Sequence, residues 1–232
     1  MPVTVIDTAL QFGSLTPLSK KNIDFLVIHT QGAPSGEDGS AASIHAYHRL
    51  PKAKGGRGWA GIGYHFVVRK TGKVERGRPL DRLGAHVQGA NSSGIGICCS
   101  GNGDLAAFTT EQKHSLRDLI QDLRSEFPKA EVEGHRSLVD RLIGNGKLSK
   151  KFSTTKTCPG KKVSLPELQQ LTGMNLGTPR VGDRRWSRHF GEWLLLTRFV
   201  SDNEWYFVRE SRPTAAETRA QARWSEMALS PA

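Results

Sequence analysis

The chain has 232 residues, with 33 Lys and Arg against 22 Asp and Glu and a formal charge of +11 at pH 7. That length supplies one full domain and a small attachment, and the charge draws the protein toward polyanions such as nucleic acid, anionic membrane or cell envelope without choosing among them. Three cysteines, two of them adjacent at Cys98 and Cys99, exclude a small disulfide scaffold. The start MPVTVIDTALQFGSL lacks a basic and then apolar leader, and the apolar run around Trp193–Leu196 is too short to span a bilayer, so a chain made in the cytoplasm is expected.

In chain order, IDFLVIHT (Ile23–Thr30) is a short apolar run rich in β-formers and predicts a buried strand with His29 at its end. Ser40–Leu50 is Ala-rich and predicts a helix closed by Pro51. Tyr64–Arg69 and Lys73–Arg76 alternate around Thr71-Gly72 and predict a hairpin, and Ile95–Cys99 predicts another compact strand. On that strand Cys98 and Cys99 point to opposite faces. Thr109 with Gln112 forms a capping box ahead of Leu116, Leu119, Ile120, Leu123 and Phe127 at helical spacing.

Val132–Gly134 reads as a short strand leading into His135. Leu138–Ser153 reads as a basic loop, and Leu165–Leu171 as a last helix introduced by Pro166. Strands interleaved with helices give an α/β, or α+β layered, fold with a central mixed sheet flanked by helices. Beyond about Leu176 every basic residue is Arg, and Trp186, Trp193, Trp205 and Trp224 are concentrated there. The expected division is therefore 1–175 and 176–232. In the second part, WLLLTRFV and WYFV flank Ser201–Glu204 as a hairpin, and Thr214 with Glu217 caps a helix carrying Ala220, Trp224 and Met227.

Eight His and three Cys allow many metal-binding triples, so spacing alone singles out none. Context narrows the choice, because ligands sit well on rigid strand ends and on short loops tied to them. His29 ends a buried strand, His135 follows Glu133-Gly134, and Cys158 precedes Pro159-Gly160.

Six stretches then occur in a familiar order: FLVIHT (Phe25–Thr30), GWAGIGYHFVVRKTG (Gly58–Gly72), GAHVQGANSSGIGICCSGN (Gly84–Asn102), FTTEQ, EGHRS (Glu133–Ser137) and KTCPG (Lys156–Gly160). Together they resemble the type-2 N-acetylmuramoyl-L-alanine amidases, the family of short phage lysozymes, wall-recycling amidases and peptidoglycan recognition proteins. The resemblance implies zinc (Zn2+) held by His29, His135 and Cys158. Cys in the third position is similar to the phage lysozyme and recognition-protein branch, whereas recycling amidases tend to place Asp there. In that branch the Tyr of GYHF and the Lys two before the ligand Cys serve catalysis, and they fall on Tyr64 and Lys156.

By the same resemblance His86 and Asn91 lie in a groove-lining segment that contacts sugar or peptide. His48 and His65 read as structural, and Trp59 reads as core rather than as a stacking platform. The implied activity is hydrolysis of the amide between the lactyl group of N-acetylmuramic acid and L-alanine in bacterial peptidoglycan, as in a phage or prophage endolysin. A non-catalytic wall-binding module and an exported antibacterial amidase are the alternatives.

No helix-turn-helix, zinc-finger or RNA-binding signature supports specific nucleic-acid binding. A monomer is expected, acting in the periplasm and cell wall after release by a partner system, and a regulatory protein partner stays open. One departure is the link from His135 to Cys158, about a dozen residues longer than the compact family connection, a length at which loops are usually functional or mobile.

Overall fold

The computed structural model describes residues 3–152 and 157–164, together with the backbone of four strands between 184 and 223. The chain divides into two compact units, Met1–Gly173 and Met174–Ala232.

The first unit contains β1 (Val5–Ile6), β2 (Phe25–Thr30), α1 (Ala41–Arg49), β3 (Phe66–Val68), β4 (Val74–Arg76), β5 (Gly94–Cys99), α2 (Thr110–Glu126), β6 (Glu131–Gly134) and α3 (His135–Gly144). Its six strands form one mixed sheet in the order β1-β4-β3-β5-β2-β6. Only the β3–β4 hairpin is antiparallel; the other pairings are parallel.

Parallel strands covered on both faces read as continuous apolar runs, which is why β2 and β5 lack alternation in their sequence. Leu26 and Ile28 pack with Leu116, Leu119, Ile120 and Leu123 of α2. Val27 packs with Leu138, Val139 and Leu142 of α3. The strand period of two then puts His29 on the face of Val27, away from α2. Cys99 joins the α2 cluster, while Cys98 joins Ala41, Ile44, Ile62 and Val67, so the adjacent thiols face opposite ways as expected.

The predicted capping box opens α2. Thr109 Oγ1 accepts from Gln112 N at 3.1 Å, and Thr109 N donates to Gln112 Oε1 at 3.1 Å. The buried Gln112 amide also donates to Val68 O and Ser100 O, so one residue ties the helix start to two strand ends. Thr109→Ala is expected to cost about 1 kcal/mol. A calorimetric scan should show that loss as a Tm lower by about 2–4 °C.

Two expectations need correction. The basic stretch Leu138–Ser153 is not a loop at its start, because α3 runs through Gly144 and a short 3-10 turn covers Lys150–Phe152. Leu138, Val139 and Leu142 supply an apolar face too short to stand out from the surrounding Arg, Lys and Gly, and Val27, Val87, Ala90 and Leu148 bury it. In the second unit, the segment around Ala220 is a strand rather than a helix.

That unit contains β7 (Arg184–Ser187), β8 (Glu192–Ser201), β9 (Glu204–Arg209) and β10 (Ala220–Arg223), ordered β10-β9-β8-β7 and antiparallel throughout. The predicted β8–β9 hairpin closes at the Ser201–Glu204 pair. Ala220 pairs with Phe207, and strand pairing there overrides the helical propensity of an Ala-containing segment. The predicted helix Leu165–Leu171 lies outside the described residues, as do Trp224 and Met227. Among the described residues no helix is long and apolar enough to cross a membrane.

Candidate active site

His29 is the fifth residue of β2, with 1 % of its surface exposed, and it pairs in register with Cys98 of β5. His135 is the first residue of α3, directly after β6, which is the other neighbour of β2. The α3 start is held by Ser137, whose Oγ donates to the buried Glu133 carboxylate at 2.8 Å and accepts from Gly134 N at 3.2 Å. Arg141 Nη1 lies 3.3 Å from Glu133 Oε1, so this carboxylate is engaged in holding the helix. The His29 and His135 ring centroids lie 4.9 Å apart.

Cys158 is far along the chain but is pinned to the end of β2 and the start of α3. Thr30 N donates to Cys158 Sγ at 3.4 Å, and Arg136 N donates to Cys158 O at 2.9 Å. The surrounding segment docks on the turn after β5. Asp104 accepts from Thr157 Oγ1 and from Lys161 N, and Lys162 N donates to Gly103 O at 2.8 Å. Gly103 and Gly160 meet backbone to backbone, with Gly160 at φ +132°, and a Cβ on Gly160 would overlap the Gly103 backbone. Gly160→Ala should therefore destabilise the chain by more than the about 1–3 kcal/mol that strained backbone alone costs, read as a lower urea midpoint.

Nitrogen of His29, nitrogen of His135 and sulfur of Cys158 all lie within 4.8 Å of one another. Cys158 Sγ is 3.7 Å from His29 Nδ1. A nitrogen and a sulfur on one tetrahedral zinc, at bond lengths of about 2.1 and 2.3 Å, are about 3.6 Å apart. The His-His-Cys group can thus bind a metal.

Tyr64 lies beside this group, its ring centroid 5.0 Å from that of His29. Burial, and then the Cys98 and Cys158 thiols, hold its phenol well above the ordinary range, so at neutral pH it carries its hydrogen as a donor. His48 stands between Tyr64 and Trp59, at 5.7 and 4.7 Å between centroids, and accepts from Gly63 N at 3.1 Å. His65 accepts from Gly96 N and donates to Arg82 O. Burial lowers both imidazoles to about 4, which keeps them neutral in these structural bonds. Trp59, expected in the core, is instead 38 % exposed, and Arg57 stacks over its ring and that of Tyr47.

His86 and Asn91, expected along the groove, both bond to neighbouring groups of the chain. His86 is 9 % exposed, with Nδ1 3.2 Å from His29 Nε2 and Nε2 3.1 Å from Gly94 O. Asn91 Oδ1 accepts from the backbone N–H groups of His86 and Val87 at 2.9 and 3.0 Å. Both hold the segment together behind His29. Lys156 lies outside the described residues. Thr30, Gly103 and Asp104 are not marked out by local pattern, because their contacts with the Cys158 segment span 53 to 128 positions in the chain.

The sequence model of the N-acetylmuramoyl-L-alanine amidase family matches residues 19–161. The endolysin of Enterobacteria phage K11 is 32% identical over 119 residues, covering 49% of this chain and 75% of that protein. The structure of N-acetylmuramoyl-L-alanine amidase LysC from Clostridium intestinale is similar at a TM-score of 0.56 and 27% identity, covering 72% of this chain and 95% of LysC. Bumblebee PGRP-SA shares the fold at a TM-score of 0.57 and 23% identity, over 75% of this chain and 96% of its own. The match spans the strand of His29, the strand and helix of His135 and the loop of Cys158, and the chain accordingly belongs to the N-acetylmuramoyl-L-alanine amidase family and is an N-acetylmuramoyl-L-alanine amidase acting on peptidoglycan.

Proposed function

We propose that His29, His135 and Cys158 hold a zinc ion, and that the first unit uses this centre to hydrolyse the amide between the N-acetylmuramic acid lactyl group and L-alanine. The observation that carries this reading is the meeting of three donor atoms within 4.8 Å, contributed by a strand end, a helix start and a distant loop. When bound, zinc supplies Lewis acidity to a carbonyl and lowers the pKa of water to about 7.

The chain's own groups do the rest. Two neutral imidazoles and a thiolate leave one net negative charge among the ligands, and the Thr30 N–H steadies that charge at the sulfur. The Tyr64 phenol donates toward the oxygen on which charge develops, which in preorganised sites is worth about 3–4 kcal/mol. By the family resemblance Lys156, two residues before Cys158 in the chain, is assigned the positive charge that assists catalysis.

The K11 relative supports an endolysin role, in which a cytoplasmically made enzyme reaches the wall after a partner system opens the membrane. Purified peptidoglycan incubated with the protein should yield new N-terminal alanine and glycan strands carrying intact lactyl groups. Wall binding without any new amine would replace catalysis by a binding role.

A further inference from the structure

Behind the candidate ligands, the His86 ring lies flat among three glycines. A Cβ on Gly96 would come within 2.6 Å of His86 Cγ and Cδ2, one on Gly94 within 3.4 Å of Cε1, and one on Gly84 would also strike the ring. Any other residue at 84 or 96 would close this slot, so the backbone here is shaped around an imidazole. Both ring nitrogens are engaged, Nε2 at 3.1 Å from Gly94 O and Nδ1 at 3.2 Å from His29 Nε2.

The bonding order follows from the chemistry of the groups. A carbonyl oxygen only accepts, so His86 Nε2 carries the hydrogen of its neutral ring and Nδ1 is a lone pair. The hydrogen between the two rings therefore belongs to His29 Nε2. His29 Nδ1 is left unprotonated, and it is the atom that faces Cys158 Sγ at 3.7 Å.

We infer that His86 is a positioning residue that sets the tautomer and ring plane of His29, so that Nδ1 is presented to the metal before any metal arrives. The inference rests on the zinc reading above. Metal-ligating imidazoles commonly donate their second N–H to a carboxylate, carbonyl or water. Here the acceptor is a second imidazole, which relays the polarity to a backbone carbonyl of β5.

Ring-nitrogen NMR of the metal-free full-length chain should find the hydrogen on Nε2 in both His29 and His86; a hydrogen on His29 Nδ1 overturns the inference. Zinc affinity is then read by competition with a chromophoric chelator. His86→Leu, which cannot accept, should bind about 10–100-fold more weakly, the usual cost of losing such an outer partner. His86→Gln, which offers an acceptor oxygen, should recover most of that loss. A folded Leu variant with unaltered zinc affinity overturns the inference, and if that variant does not fold, the tautomer measurement on the unaltered chain still decides. An unaltered chain with no zinc affinity would sink the metal reading instead, with the tautomer measurement still judging His86 separately.

Discussion

Cys158→Ser is expected to lower amide hydrolysis by about three orders of magnitude or more, the scale of the several kcal/mol a catalytic metal supplies. A serine hydroxyl keeps its hydrogen at neutral pH, so it offers neither the charge nor the soft donor of a thiolate. The Thr30 N–H, 3.4 Å from the sulfur, would also lose its anionic partner. Cys158 sits in a segment pinned independently through Asp104 and Gly103, so the variant should retain the fold of the sheet and helices. The measurements are zinc content, circular dichroism and release of N-terminal alanine from purified walls. In the unaltered chain, a chelator should remove the activity and added zinc restore it. Full activity of metal-free Cys158→Ser would sink the reading.

Tyr64→Phe should lower kcat by about 10²–10³-fold, the usual cost of removing one donor to a developing oxyanion, with KM nearly unchanged. Its phenol hydrogen is retained at neutral pH because burial and the neighbouring thiols disfavour the charged form. Loss of the proton therefore lies above the ordinary tyrosine range, and a fall in activity near pH 7 would have to come from other groups. The hydroxyl is outside the His-His-Cys group, so zinc affinity should not change. That split separates a charge-stabilising role from a structural one. An effect confined to KM, or an unaltered kcat, would remove Tyr64 from the chemistry.

Tyr64 and His29 lie within continuous motifs, and their placement follows from local pattern. The His29 strand is legible because burial on both faces demands an unbroken apolar run, and the α2 start is legible because Thr109 and Gln112 satisfy each other across three residues. The β8–β9 hairpin is legible for a similar reason, with apolar strands on either side of a polar turn.

The misread elements share a physical cause. α3 has one short apolar face amid charged residues, and its stability comes from packing on Val27, Val87 and Leu148 rather than from its own propensity. β10 carries helix-favouring residues yet pairs with β9, because the ladder satisfies backbone groups that local propensity leaves open. Trp59 looks like core by composition, but its neighbours leave more than a third of it in solvent.

By itself, the sequence determined the motif order, the family likeness, the strand carrying His29 and the capped helix that covers the opposite face. These are properties of short-range pattern, in which each residue's neighbours in the chain are also its neighbours in space. Only the tertiary structure decided that the Thr30 N–H meets the Cys158 sulfur, that Gly103 and Gly160 must both lack a side chain, and that the His86 ring bonds to that of His29. Those outcomes depend on contacts between segments far apart in the chain, where geometry and hydrogen-bond satisfaction, rather than local pattern, select the arrangement.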